Sequence, residues 1–187
     1  MQFDSPLRDL GAVTVEPLRD AILAQEEDAW RENQFRQNEY KVHSQTETIV
    51  MIFCSDDNWP NLDVTKEAGW DRLSAQALPL MHDIIERGYP KGGTIIRAMA
   101  AKLKAGGRIM PHIDHLGSFR ISHRIHIPIT TNKRVRFMLD GRPHQMEVGR
   151  AYEINNQMTH GVINSGNEDR IHFIFDYAPP TAPADGE

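Results

Sequence analysis

The chain has 187 residues, of which 40% are hydrophobic and 25% charged, with a formal net charge of −5 and a single cysteine. That length suits one domain with a continuous core and makes two independently folding domains unexpected. An acidic balance excludes general nucleic-acid binding, which needs a basic face, and one cysteine excludes an internal disulfide framework.

In chain order, residues 12 to 15 read as a short strand. Pro17 then suits the first turn of a helix carrying Leu18, Ala21, Ile22, Gln25, Ala29 and Trp30. Thr46 to Phe53 is a β-rich run, followed by turn chemistry from Ser55 to Asn61. Trp70, Leu73, Ala77, Leu80, Met81, Ile84 and Ile85 recur at helical spacing, and Pro79 within that run predicts a kink or two shorter helices. From Thr94 the pattern changes to short strands separated by glycine-containing turns, with room for six or seven strands up to Tyr177. Val135 to Leu139 followed by Asp140-Gly141 predicts a strand entering a tight hairpin.

Helices first and antiparallel strands afterwards predict a mainly β domain with flanking helices, a jelly roll. The expected organisation is a single domain over 1–177, with a mixed N-terminal part at 1–93, a jelly-roll core at 94–177 and a flexible Pro-rich tail at 178–187. Near the start no basic segment precedes an apolar run, and no stretch approaches the ~18 apolar residues that span a bilayer. The expectation is a cytoplasmic protein with neither a membrane nor a nucleic-acid partner. Nothing in the sequence indicates the oligomeric state.

The chemistry concentrates in His112-Ile-Asp114 and the distant His160. Two imidazoles and a carboxylate are the ligand set of a facial triad, which holds Fe(II) and leaves positions open for a co-substrate and O2. In an extended strand His112 and Asp114 share a face, so both can reach one metal. Alternation in the run from Arg170 to Tyr177 puts Arg170, His172, Ile174 and Asp176 on one face. In the run from His123 to Ile129, Arg124 and His126 share a face. Cations inside a sheet need an anionic partner, and a bound carboxylate would supply one.

Other polar residues have plainer readings. His115, His123 and His144 read as surface or turn histidines, and Arg97, Arg108 and Arg120 as solvated charges. Asp56-Asp57 with Trp59 reads as a surface loop in preference to a lid. Cys54, Trp30 and Trp70 read as core residues.

With His112, Asp114, Arg124, His126, His160, Arg170, His172 and Asp176 in this order, the chain resembles the Fe(II)- and 2-oxoglutarate-dependent oxygenases of the aspartyl/asparaginyl β-hydroxylase superfamily, which includes L-proline cis-4-hydroxylases. The resemblance covers roughly residues 94 to 177. It implies a double-stranded β-helix (jelly roll, cupin-like) with iron on His112, Asp114 and His160. It further implies that Arg170 pairs with the distal carboxylate of 2-oxoglutarate, with His126 and Arg124 near the co-substrate or substrate. The implied reaction hydroxylates an amino acid or amino-acid side chain, as a small molecule or within a peptide, with succinate and CO2 as co-products. Two departures stand out. Asp114 keeps a carboxylate where the Asp/Asn β-hydroxylases carry a small residue, and Met99 stands where the proline enzymes are expected to have an arginine, which counts against free proline. The alternatives are a cupin-like metal enzyme that does not use 2-oxoglutarate, and a non-catalytic ligand-binding jelly roll.

Overall fold

Alternating and continuous apolar runs become strands throughout the computed structural model, which describes residues 4–33 and 44–180. The strands are β1 (Leu7–Ala12), β2 (Thr46–Ser55), β3 (Asp63–Lys66), β4 (Thr94–Leu103), β5 (Arg108–His112), β6 (His123–Thr130), β7 (Val135–Leu139), β8 (Arg142–His144), β9 (Arg150–Ile154), β10 (His160–Asn164) and β11 (Arg170–Ala178). They form a seven-stranded sheet in the order β1-β9-β6-β11-β4-β2-β3 and a four-stranded sheet in the order β5-β10-β7-β8. Every pairing is antiparallel. This is the expected jelly roll. The stretch from Thr94 holds eight strands, one more than the upper expectation, because the short polar β8 pairs with β7 across a tight turn. At that turn Asp140 and Gly141 both have positive φ (47° and 74°), the conformation the Asp-Gly pair predicts.

The helices are α1 (Glu16–Leu23), α2 (Glu27–Arg31), α3 (Gly69–Gly88) and α4 (Gly117–Ile121). The first three pack against the outer face of the large sheet. Leu18 and Ile22 from α1, Trp30 from α2 and Leu73, Met81 and Ile84 from α3 join Ile125, Ile127, Phe173 and Phe175 in one core.

Three local expectations change. The first strand lies at Leu7–Ala12, where it pairs with β9, while Val15 enters the core as the N-terminal flank of α1. The single early helix is two, because Gln25 closes α1 by donating to Ile22 and Ala21, and extended backbone at Glu26 starts α2 afresh. Pro79 does not divide α3. Buried residues flank it on both sides, Leu73 and Ala77 before and Leu80, Met81, Ile84 and Ile85 after, and their shared burial outweighs the lost hydrogen bond of about 3 kcal/mol.

The N-terminal part is not a separate layer, since β1, β2 and β3 complete the large sheet. At the other end β11 holds Ala178, the first residue of the expected tail; residues 181–187 of that tail lie outside the described residues. No helix among the described residues is long and apolar enough to cross a membrane.

Candidate metal centre and anion pocket

Strand register builds the site. His112 ends β5 directly opposite His160 at the start of β10, so two imidazoles distant in sequence become cross-strand neighbours with ring centroids 4.3 Å apart. Asp114 lies just past β5. Its backbone N–H donates to the Asn156 carbonyl at 3.2 Å and its carbonyl accepts from the Gln157 amide at 3.0 Å. The loop before β10 thereby turns the carboxylate toward both rings. Oδ1 of Asp114 is 3.7 Å from His112 Nε2, and Oδ2 is 3.9 Å from His160 Nε2. One donor atom from each of the three residues lies within 4.8 Å of the others.

The tautomers suit a metal. Nδ1 of His112 donates to the Met110 carbonyl at 2.8 Å, and Nδ1 of His160 to the Met158 carbonyl at 3.0 Å. A carbonyl only accepts, so both protons sit on Nδ1 and both Nε2 lone pairs remain as donors to a cation. Burial pushes the His160 pKa down, against the opposing pull of Asp114, and this favours the neutral ring that a metal requires.

On the inner face of the large sheet, β11 carries Arg170, His172, Ile174 and Asp176 in the alternation read from the sequence. His126 faces Ile174, and Arg124 faces Asp176 across β6. Together with His112 and His160 from the small sheet, Arg124, His126, Phe137, Val162, Ile174 and Arg170 line a cleft of about 520 Å³ that includes its open mouth. The two imidazoles of the candidate triad and Arg170 therefore line one cavity.

The two arginines differ. Arg124 donates to both oxygens of Asp176 at 2.8 Å and to Asp114 Oδ2 at 2.7 Å. Burial works against its charge, but these two carboxylates raise its pKa above the ordinary value. Its hydrogen bonds thus go to protein carboxylates, one of them the metal-ligand candidate. Arg170 is 2% exposed and has no carboxylate partner among the described residues. Nη2 donates to His172 Nδ1 at 2.6 Å, while the buried Nε has no partner among the described residues. Unopposed burial lowers its pKa to about 9, so it is still charged at neutral pH. His172 carries no negative charge to neutralise it; burial, then Arg170 and His126, hold the imidazole pKa well below its ordinary value, so the ring is neutral beside the guanidinium. Nδ1 of His126 lies 3.4 Å from Nδ1 of His172.

Two residues read as bland are buried and paired. Arg97 is 3% exposed, bonded to Asp56, Ser118 and the Cys54 carbonyl. His123 donates from Nδ1 to Glu153 at 2.6 Å, behind the sheet beside Tyr89. The signal for Arg97 was available: a cation at the fourth position of the apolar run Thr94–Leu103 sits in a strand buried on both faces. Cys54 and Trp30 are buried as expected.

The sequence profile of the family described as aspartyl/asparaginyl beta-hydroxylase matches residues 16–180. Among curated proteins no sequence matches significantly. Solved structures share the fold at low identity. A 2OG-Fe(II) oxygenase family oxidoreductase from Burkholderia pseudomallei aligns with TM-score 0.53 and 12% identity over 73% of this chain and 69% of its own. The viral collagen prolyl hydroxylase of Paramecium Bursaria Chlorella virus-1, in its 2OG complex, gives 0.54 and 7% over 95% and 98%. A Pseudomonas putida prolyl-4-hydroxylase gives 0.51 and 13% over 95% of each chain.

Proposed function

The chain belongs to the aspartyl/asparaginyl beta-hydroxylase family, and from that membership we propose how its residues carry out 2-oxoglutarate-dependent hydroxylation of an amino acid or amino-acid side chain. His112, Asp114 and His160 hold Fe(II) through the two Nε2 atoms and the Asp114 carboxylate. The donor set of two neutral imidazoles and one carboxylate fits a facial triad. Arg170 binds the distal carboxylate of 2-oxoglutarate, and His172 holds the guanidinium in place by accepting from Nη2. His126, which lines the same cleft, contacts the co-substrate. Bound together, the metal and co-substrate supply O2-dependent oxidative decarboxylation coupled to hydroxylation of a C–H bond, releasing succinate and CO2.

One observation carries this reading: a buried, charged Arg170 without a carboxylate partner among the described residues opens into the cavity lined by both imidazoles of the triad. An unpaired buried charge costs several kcal/mol, and an anionic ligand offsets that cost. A cupin-like enzyme that does not use 2-oxoglutarate leaves Arg170 without a role. Arg124, expected near co-substrate or substrate, lines the same cleft and also bonds Asp114. Met99 is buried behind Ala101 and Ile174, which give the cleft an apolar stretch of wall.

The test is anaerobic reconstitution. An absorption band that appears only when Fe(II) and 2-oxoglutarate are both present supports the assignment, and a spectrum indifferent to 2-oxoglutarate refutes it. A panel of free and peptidyl amino acids, followed for succinate and the mass gain of one oxygen, then identifies the substrate.

A further inference from the structure

A row of alternating charges crosses the inner face of the large sheet behind Asp114. Register sets Asp176 of β11 directly opposite Arg124 on β6 and Arg97 on β4. Asp176 is fully buried, takes both oxygens to Arg124 and lies 3.8 Å from Nη1 of Arg97. Nη2 of Arg97 continues to Asp56 Oδ1 at 3.1 Å and Ser118 Oγ at 2.8 Å. Asp56 also accepts the Ser118 backbone N–H at 2.9 Å and the Ser118 hydroxyl. Phe119 presents its ring to both guanidiniums, 4.2 Å from Arg97 and 4.4 Å from Arg124. The sequence of charges is thus Asp114, Arg124, Asp176, Arg97, Asp56, and no side chain among them is more than 10% exposed.

The far end of this row is a docked loop. Asp56 opens the turn that carries Trp59, and the Trp59 ring lies so close to Gly117 that a Cβ there would come within 2.5 Å of it. Glycine is what lets the ring and α4 meet. The near end is the candidate metal carboxylate, for which a cation and Arg124 compete. With Nε and Nη2 held by Asp176, Arg124 reaches Asp114 through Nη1, which donates to Oδ2. Without Asp176 the whole planar fork could turn to Asp114 and take both oxygens, in the bidentate geometry arginine favours.

We propose that Asp176 and Arg97 are positioning residues for Asp114, and that Asp56 extends their hold to the loop, so that loop docking on α4 and presentation of the metal carboxylate form one coupled unit. This rests on the reading of His112, Asp114 and His160 as metal ligands. None of Asp176, Arg97 and Asp56 belongs to the ligand set.

The probe is Co(II), titrated into the full chain without 2-oxoglutarate and followed by its visible absorption. Asp176→Asn is expected to weaken Co(II) binding by about 10- to 100-fold, the range for losing a group that orients a ligand. Asp56→Asn is expected to weaken it less. The double variant is expected to bind no more weakly than Asp176→Asn alone, because both act through one chain of contacts. Wild-type affinity in Asp176→Asn, or effects of the two substitutions that multiply, overturns the proposal. Should Asp176→Asn not fold, Asp56→Asn decides: it must shift Co(II) affinity without contacting any ligand, and an unchanged affinity overturns the coupling. Failure of the wild-type chain itself to bind Co(II) refutes the ligand assignment and the proposal with it.

Discussion

Arg124 and Arg170 are both buried arginines on the inner face of one sheet, and they sit in opposite electrostatic situations. Arg124 has a protein carboxylate on each side. Arg170 has an imidazole and an unpartnered Nε. The charge of Arg124 is balanced by the fold itself, which makes it part of the machinery that orients Asp114. The charge of Arg170 has no carboxylate to balance it among the described residues, which is why we assign it to the co-substrate. Burial alone does not separate the two; the account of each donor does.

The comparison is broken most severely by removing one of the carboxylates. Asp114→Ala deletes a metal-ligand candidate and half of the balance around Arg124. Turnover should fall to background in a succinate assay, with loss of stoichiometric Fe(II) binding; retained iron-dependent turnover would sink the triad.

Replacing each arginine by methionine should then give opposite signs. Arg124→Met leaves Asp114 without this partner and Asp176 with only the more distant Arg97, and should destabilise the apo protein by about 3–5 kcal/mol in urea unfolding. Arg170→Met removes an unpaired buried charge, and apo stability should stay level or rise by about 1–4 kcal/mol. The same substitution should weaken 2-oxoglutarate binding by roughly 30- to 1,000-fold, from a truncated buried charge interaction of about 2–4 kcal/mol, with Co(II) affinity unchanged. Two losses of stability of the same sign would abolish the distinction.

Much of this contrast was legible in the sequence, and one part was not. Period 2 placed Arg170 with His172 and Asp176, and Arg124 with His126, on shared faces, because alternation is a local property of a strand. The triad was visible as His112, Asp114 and His160 because residue type carries the chemistry. What alternation could not supply is register. Only the pairing of Asp176 with Arg124, and of Asp176 with Arg97, shows which arginine is already balanced. His123 reads as a surface residue because a polar residue at the start of a strand carries no signal of what covers it, whereas the apolar run around Arg97 did signal burial but not the partners Asp56 and Asp176. The split of α1 from α2 was hidden for a related reason, since the apolar residues of both helices fit one continuous period.

A smaller effect comes from binding an anion beside Arg170. At 100 times its Kd, 2-oxoglutarate in the presence of a redox-inert divalent metal should stabilise the wild-type chain by about 2.7 kcal/mol. Thermal unfolding should register this as a higher Tm, and Arg170→Met at the same concentration should show much less of it. An equal gain in both proteins would place the anion elsewhere.

The weakest expected effect is in pH. His172 has a folded pKa lowered from 6.5, chiefly by burial, and is neutral beside Arg170. The unfolded chain therefore binds more protons at this residue below about pH 6.5. Its contribution to stability is fully present above that pH and declines as pH falls through and below it, by up to about 1.4 kcal/mol per pH unit. His172→Gln should flatten the dependence of unfolding free energy on pH between about 6.5 and 5. It should also free the guanidinium it holds, so that 2-oxoglutarate binding weakens even at pH 8, where His172 is neutral in folded and unfolded chains alike. A flattened pH profile with undiminished 2-oxoglutarate affinity would show that Arg170 needs no help from His172, and that the lone charge is held in place by the packing of Phe137 and the sheet alone.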